Sequence, residues 1–186
     1  MSKDKTFETK FRRRQQGKTN YVKRLALVRS KKIRIVVRKT SSQILAHAVK
    51  YNPKGDETLA SVTSKELTKY GFYGTNNTPS AYLVGYLLGK KLNGKVDEAM
   101  SDIGRRSPSH GGVVFACLKG VADAGVNMAL SDKAVPSEDR ISGKIIDSYA
   151  KENADKFSQY TKAGITPGEI EKAFEKAKTE IEKVKA

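Results

Sequence analysis

Positive charge is concentrated at the start of this 186-residue chain, and it limits which part can fold around a core. Residues 1–50 contain 16 Lys and Arg against two acidic residues, whereas the other 136 residues contain 20 basic and 18 acidic ones. Residues 1–20 also show no hydrophobic periodicity, so they bury too little apolar surface to fold alone. We therefore predict an extended basic arm on a nearly neutral body, a pattern typical of proteins that bind nucleic acid or an anionic membrane.

The apolar segments argue against a membrane partner. The apolar run at residues 82–89 is far shorter than the roughly 20 residues that a membrane span needs. The N-terminus lacks the apolar core of a signal peptide, and the basic arm has no apolar face with which to lie on a membrane surface. The single cysteine, Cys117, excludes an internal disulfide and favours a reducing compartment, and its apolar surroundings predict a buried packing role.

Alternating apolar residues and turn residues predict an antiparallel meander of three strands after the arm. The strands are expected at residues 33–40, 43–51 and 58–63. A strong turn signal at residues 52–56 separates the second strand from the third. Before the strands, the spacing of Tyr21, Leu25 and Val28 predicts a helix over residues 21–28 with these three side chains on one face.

Helical spacing and capping residues predict that helices alternate with strands in the rest of the chain. The first of these helices is expected from the N-cap Thr78 and Pro79 to Gly94. A strand at 98–103, a helix at 113–124 and a short strand or extended piece at 126–130 follow. Two further helices are expected, one after Ser137 and one after Thr166, where Pro167 and Glu169 complete the capping signal. The helix that begins at Thr78 carries a stripe of small residues, Ala81, Gly85 and Gly89, that lets another element approach closely. The last two helices have apolar stripes, at Ile141, Ile145 and Tyr149 and at Ile170, Phe174, Ala177 and Ile181.

These elements together predict an α/β fold. The expected architecture is a mixed sheet, an antiparallel meander followed by α/β units, with helices packed on it. An extended basic arm precedes the sheet and helices end the chain. We expect three regions: a basic RNA-binding arm at 1–20, a mixed α/β core at 21–130 and a C-terminal helical extension at 131–186.

The arm and the helix after it combine cations, polar groups and an aromatic ring in a way that suits RNA. Basic side chains neutralise phosphates, and the arginine fork matches phosphate oxygens. Tyr21 offers a ring on which an unpaired base can stack. The predicted contacts here are Lys10, Arg12, Arg13, Arg14, Lys18, Thr19, Asn20, Tyr21 and Arg24. The alternative is a tail that only keeps the protein in solution.

Two further groups of residues are candidates for RNA contact. Arg34 and Arg38 project from one face of the first strand, with Lys39 next to them, although an ordinary polar sheet face has the same pattern. The loop at residues 104–112 runs into a helix N-terminus, which can bind a phosphate through its free N–H groups. Its candidate residues are Arg105, Arg106 and His110. The alternative is a flexible connection, and the loop lacks the glycine spacing and the Lys-Ser/Thr of a nucleotide-binding loop.

Catalysis is poorly supported by the sequence. Two histidines and one cysteine cannot form a common zinc site. A two-metal nuclease needs clustered carboxylates, and the first strand contains none. Asp102 ends a later strand, where a cap or an arginine partner is the simpler interpretation. We expect no enzyme activity, no metal and no cofactor. The alternative function is an RNA-processing or modification factor with an RNase H-like sheet.

Short segments also follow one another in an order known from a protein family. They are RRR at 12–14, TNY at 19–21, RL at 24–25, the strand residues 34–39, NPKGDETLAS at 52–61, TPSAYL at 78–83, and DIG at 102–104 through VFA at 114–116 to DAG at 123–125. Together they resemble the archaeal-type L-eighteen family of large-subunit ribosomal proteins, whose eukaryotic relative is the L-five protein. The His110-Gly111 pair is similar to a His-Gly step in the bacterial members.

This resemblance implies a structural protein that binds 5S ribosomal RNA and helps attach it to the large-subunit RNA at the central protuberance. The implied partners are both RNAs and neighbouring large-subunit ribosomal proteins, one of them of the bacterial-type L-five family, on cytoplasmic ribosomes. It also implies a mixed α/β core shared with a small-subunit protein. The RNA contacts carried over by position are Arg12, Arg13, Arg14, Thr19, Tyr21, Arg24, Arg34 and Arg38. Asn20 stands where many relatives have Asp, and the partner of the C-terminal helices stays open.

Overall fold

Five strands form one mixed sheet in the computed structural model, which describes residues 8–92, 94–166 and 168–184. The strands are β1 (Ile33–Lys39), β2 (Ile44–Lys50), β3 (Glu57–Thr63), β4 (Glu98–Asp102) and β5 (Asn127–Met128). Their order in the sheet is β3-β2-β1-β4-β5. The first three strands pair antiparallel, whereas β4 runs parallel to β1 and β5 runs parallel to β4. The predicted α/β fold with a mixed sheet is confirmed.

Helices connect and follow the strands. In chain order the described helices are α1 (Arg12–Gln15), α2 (Tyr21–Arg29), α3 (Thr78–Leu92), α4 (Val113–Asp123), α5 (Glu138–Ser142), α6 (Lys144–Glu152), α7 (Ser158–Lys162) and α8 (Ile170–Glu182). Short 3-10 helices lie at Ser64–Tyr70, Asp132–Ala134 and Ala154–Phe157. These 3-10 helices and α7 were not predicted, because each is at most seven residues long and too short for a recognisable apolar periodicity.

One face of the sheet and two helices enclose the core. Ile35 and Val37 of β1 and Ala46 of β2 are fully or almost fully buried on that face, and they belong to one apolar cluster with α3 and α4. The close contact between the two helices depends on glycine, because a Cβ on Gly85 would lie 1.9 Å from the backbone oxygen of Cys117. The predicted small-residue stripe is therefore confirmed, as is the burial of Cys117.

Two helix caps differ from the expected ones. The side-chain oxygen of Asn77, not Thr78, caps α3 by accepting a hydrogen bond from the Ser80 N–H at 3.0 Å. The cap of α8 comes from another helix, because the Asp147 carboxylate of α6 accepts the N–H groups of Ile170 and Glu171, both at 2.9 Å. The expected cap at Thr166 is therefore wrong, and Pro167 lies outside the described residues.

A single helix was expected after Ser137, but the chain turns at Gly143 and forms α5 and α6 instead. Gly143 has a φ of 95°, a left-handed conformation that ends one helix before the next begins. Because of this turn, α6 runs in a different direction from α5, and its residues Ile145 and Tyr149 are about half exposed, at 52% and 46%. The predicted stripe is wrong at these two positions, although Ile141 is buried.

The last helix packs as its pattern predicts. Ile170, Phe174, Ala177 and Ile181 of α8 are all buried and belong to the same apolar cluster as the sheet. The helix therefore shares the core of the sheet. The division into an arm, a core and an extension from residue 131 stays a prediction about folding units.

The outer edge of the sheet is irregular. Among the described residues, the edge strand β3 pairs with β2 alone, and the pairing shifts from Ala48–Ala60 to Val49–Thr58, which leaves Leu59 without a partner in the register. The Lys91 ammonium of α3 reaches this strand and donates to the Ser61 carbonyl oxygen at 3.4 Å. The edge therefore carries a β-bulge beside a lysine contact.

Candidate nucleic-acid interface

A cleft of about 860 Å³ opens between α2 and the sheet face opposite α3 and α4. Val36, His47 and Val49 line it from the sheet, and basic and polar side chains line it from the arm and α2. Burial and the nearby Arg38 guanidinium lower the pKa of His47 below its ordinary value, which favours the neutral imidazole. Positive charge in the cleft therefore comes from arginine and lysine.

The described part of the arm is not wholly extended, because Arg12–Gln15 form one turn of helix. The Arg13 guanidinium folds back and donates from Nε to Thr19 Oγ1 at 2.8 Å. The ring of Phe11 packs against Tyr21, with 4.9 Å between the ring centres. A fully extended arm was therefore the wrong expectation, since these local contacts compact the chain next to α2.

Asn20 caps α2 at the point where the arm joins the helix. Its side-chain oxygen accepts hydrogen bonds from the N–H groups of Val22 and Lys23, at 3.1 Å and 3.2 Å. An Asp carboxylate performs the same capping role, so the Asn at this position keeps the helix start intact. The predicted RNA contact of Asn20 stays a prediction.

Helix α2 has no buried apolar face. Leu25 is 61% exposed and Val22 77% exposed, and none of the nine residues of α2 is buried. Arg24 and Leu27 line the cleft instead. Of the three residues predicted to share one face, Leu25 is exposed, whereas Tyr21 and Val28 are half-buried.

Five alternating charges link α2 to the sheet. Arg24 binds Asp56 through two parallel hydrogen bonds of 2.9 Å each, and Arg34 donates to the same carboxylate at 2.6 Å. Arg34 also donates to Asp102 at 3.1 Å, and Arg38 donates to Asp102 Oδ1 at 2.8 Å and to its backbone oxygen at 2.6 Å. We call these five residues the arginine–aspartate network.

The arginines of the network differ in how far their side chains are exposed, and therefore in whether they can reach a ligand. The Arg34 side chain is only 3% exposed, whereas the Arg38 side chain is 41% exposed and that of Arg24 34%. Burial opposes ionisation of Asp56, but the hydrogen bonds and charges of Arg24 and Arg34 prevail and lower its pKa below the ordinary value. The expectation that both arginines of β1 lie on an open sheet face is wrong for Arg34, because two carboxylates enclose it.

Asp56 was not among the predicted site residues, and Asp102 was predicted to be a cap or an arginine partner. The role of Asp102 as an arginine partner is confirmed by the structure. Asp56 belongs to the NPKGD turn, where an Asp is ordinarily explained by the turn itself. Its partners lie 22 and 32 positions away in the chain, so no local pattern could have identified them.

The loop at residues 104–112 connects the arm to the body. The Arg105 guanidinium donates to the Gly17 carbonyl oxygen in the arm, and Arg106 donates to the Lys39 carbonyl oxygen at 2.9 Å. His110 Nδ1 lies 3.0 Å from the Lys133 carbonyl oxygen. The three predicted loop residues thus contact backbone oxygens, and Arg105 also lines a smaller cleft of about 460 Å³ with Lys10, Arg14 and Tyr21.

Several cations around these two clefts have no acidic partner among the residues that the structure describes. They are Lys10, Arg12, Arg13, Arg14, Lys18 and Lys23. All lie in the arm except Lys23, which is in the first turn of α2 and was not among the predicted RNA contacts. Such a group of exposed cations around a partly apolar cleft fits a polyanion with bases to cover.

The described part of the chain has neither a group of metal ligands nor a helix suited to crossing a membrane. Within residues 8–92, 94–166 and 168–184, no three His, Cys, Asp or Glu side chains are grouped so that they could hold a metal ion. No described helix has the length and apolarity needed to cross a membrane. The carboxylates nearest the cleft, Asp56 and Asp102, are already bound by arginines.

Comparison with known proteins gives consistent matches. Residues 5–101 match the family described as "Ribosomal large subunit proteins 60S L5, and 50S L18". The chain is also 43% identical over 183 residues to the large ribosomal subunit protein uL18 of Korarchaeum cryptofilum, with 94% of each chain covered. It is 43% identical to the same protein of Methanosphaera stadtmanae and 40% identical to that of Methanobrevibacter smithii, with 98% of each chain covered.

Proposed function

This chain belongs to the uL18 family of large ribosomal subunit proteins, and on that premise we propose that it binds 5S ribosomal RNA. It is a structural constituent of the large subunit of cytoplasmic ribosomes and not an enzyme. Its proposed task is to help attach 5S RNA to the large-subunit RNA at the central protuberance, beside neighbouring ribosomal proteins.

The observation that carries the proposal is the convergence of cations on the cleft under α2. The arm provides Arg13 and Lys18, the start of α2 provides Lys23, and the sheet provides Arg38. Each exposed cation that meets a phosphate releases condensed counterions, which favours association. We infer that one RNA segment is held by all of these elements together.

The proposed contacts have different tasks. Lys10, Arg12, Arg13, Arg14 and Lys18 neutralise phosphates, Thr19 and Asn20 offer polar groups beside them, and Arg24, Arg38, Lys39, Arg105, Arg106 and His110 surround them on the body. Tyr21 offers a ring face to an unpaired base. Arg34, which the resemblance assigns to RNA, is proposed to act on the RNA only through the residues it holds, since its side chain is 3% exposed.

Competition filter binding tests this function. We expect the full chain to bind 5S ribosomal RNA at least about 100-fold more tightly than transfer RNA at the same salt concentration, since specific sites exceed non-specific binding by such factors. Equal affinity for the two RNAs would leave only a general basic protein and would overturn the proposal. Measurements at several salt concentrations separate the charge contribution from the specific one.

A further inference from the structure

We propose that Asp56, an acidic residue inside the basic face, is a positioning residue that strengthens RNA binding by holding α2 in place. This inference deepens the proposed function and rests on it. An Asp beside an RNA site repels phosphate, so its charge alone would weaken the complex. We infer that the loss from repulsion is smaller than the gain from holding α2 in the binding geometry.

The packing of α2 shows why it needs such a link. A helix at a protein surface is normally held by burying one apolar face. None of the nine residues of α2 is buried, and its two largest aliphatic side chains on the outside, Val22 and Leu25, are 77% and 61% exposed. Leu27 and Val28 are only half-buried, so apolar packing alone does not fix the position of this helix.

The link between Arg24 and Asp56 supplies what packing does not. It is a forked pair with two hydrogen bonds of 2.9 Å, the strongest geometry for an arginine and a carboxylate. Asp56 is itself fixed, because the nearly buried Arg34 donates to it at 2.6 Å and continues to Asp102 in β4. The position of α2 is thus tied to two strands of the sheet.

The position of α2 matters because the helix carries RNA-facing groups. Tyr21 and Lys23 lie in its first turn, and Asn20 caps it at the point where the arm joins. If α2 moved freely, these side chains would have to be ordered when RNA binds, and that cost lowers affinity. Asp56 therefore contributes to binding without touching the RNA.

Removing a negative charge at Asp56 tests the proposal, because repulsion and positioning predict opposite changes in RNA affinity. Asp56→Asn removes a negative charge and keeps the shape, and Glu57→Gln removes the same charge one residue away, where the described contact is with Asn52. We expect Asp56→Asn to bind 5S RNA about tenfold more weakly, because α2 must then be ordered on binding. Glu57→Gln should bind no more weakly than the native chain. Equal or tighter binding by Asp56→Asn would overturn the proposal.

A second pair of variants tests the same link without relying on the folding of Asp56→Asn. Arg24→Lys keeps the charge but loses the fork, and Arg29→Lys makes the same change on the same helix outside the network. Arg24→Lys should weaken binding and Arg29→Lys should not. The double variant Arg24→Lys/Asp56→Asn should bind no worse than the weaker single variant, because both changes break one link. Additive losses would mean that Arg24 and Asp56 act independently and not as one link, and would overturn the positioning role of Asp56.

Hydrogen exchange of the free protein separates this inference from the proposed function. Amides of α2 should exchange faster in Asp56→Asn than in the native chain, while those of β1 and α3 keep their protection. Unchanged exchange in α2 would overturn the positioning role even if 5S RNA binding is specific. Faster exchange together with a native chain that does not prefer 5S RNA would instead overturn only the proposed function.

Discussion

Arg34 and Asp102 lie 68 positions apart in the sequence and form a nearly buried ion pair between the parallel strands β1 and β4, with 3.1 Å between Nη1 and Oδ2. Taking two charges out of water is costly unless their hydrogen bonds are satisfied. Asp102 meets this condition, since it also accepts from Arg38 at 2.8 Å and from the Gly104 N–H at 2.9 Å. The Nε of Arg34, in contrast, has no hydrogen-bond partner among the described residues.

Replacing Asp102 should destabilise the protein strongly. Asp102→Asn leaves the buried Arg34 charge without its second carboxylate, and breaking such a pair costs about 3–5 kcal/mol of unfolding free energy. Urea unfolding followed by circular dichroism measures the loss. Asp97→Asn, at an exposed position without an ion pair among the described residues, should change the free energy by less than about 0.5 kcal/mol. A loss below that value for Asp102→Asn would show that the pair adds nothing.

The interhelical cap of α8 gives a second prediction. Asp147→Ala removes the acceptor of two helix N–H groups, those of Ile170 and Glu171. Losing a cap costs about 0.5–2 kcal/mol, and we expect a value near the upper end because Ile170 is fully buried. Thr166→Ala, at the position that the sequence suggests as the cap, should be nearly neutral. A larger drop in melting temperature for Thr166→Ala than for Asp147→Ala would show that Thr166 is the cap.

The contact between α3 and α4 predicts a large effect of one methyl group. Gly85→Ala would place a Cβ 1.9 Å from the Cys117 oxygen, so the two helices must separate. We expect a loss of about 3 kcal/mol, at the upper end of typical overpacking costs. Gly55→Ala is the control, because its Cβ would meet no atom within 4 Å. Similar melting temperatures for the two variants would contradict the close helix contact.

Arg13 and Tyr21 should affect RNA binding in different ways. Arg13→Ala should reduce the slope of log affinity against log salt by about 0.7–0.9, the value for one phosphate contact. Tyr21→Ala should leave the slope unchanged and cost about 1–3 kcal/mol if the ring stacks on a base. Salt titrations of filter binding measure both effects.

The packing of Tyr21 against Phe11 requires a control for this last experiment. Melting of the free protein shows whether the ring supports the arm instead of the RNA. A lower melting temperature for Tyr21→Ala with unchanged affinity would contradict base stacking, and a changed salt slope would contradict its neutral role. Tyr21→Phe keeps the ring and should behave like the native chain in both measurements.

Features encoded within one helical or strand period were predictable from the sequence. The stripe of Ala81, Gly85 and Gly89 and the apolar positions of α8 are examples, because a local period directly specifies which side is buried. The break at Gly143 was not predictable, since a lone glycine within a helical pattern is often tolerated.

The parts of the candidate site that depend on distant pairs also escaped prediction. Arg34 alternates with apolar residues as an outward-facing residue does, and only the arrival of Asp56 and Asp102 from other strands encloses it. The cations of the arm, in contrast, were recognisable because exposed charges need no partner. The sequence therefore identified the charged groups but not the contacts that orient them.

The irregular pairing of β3 bears on the protein before it joins a ribosome. A strand edge with regularly spaced free N–H and C=O groups acts as a template for strands of other molecules, and aggregation can begin there. The bulge at Leu59 interrupts that spacing, and the Lys91 ammonium occupies the Ser61 carbonyl oxygen within the same strand. Before the RNA is bound, we therefore expect this edge to pair with strands of other molecules less readily than a regular edge would.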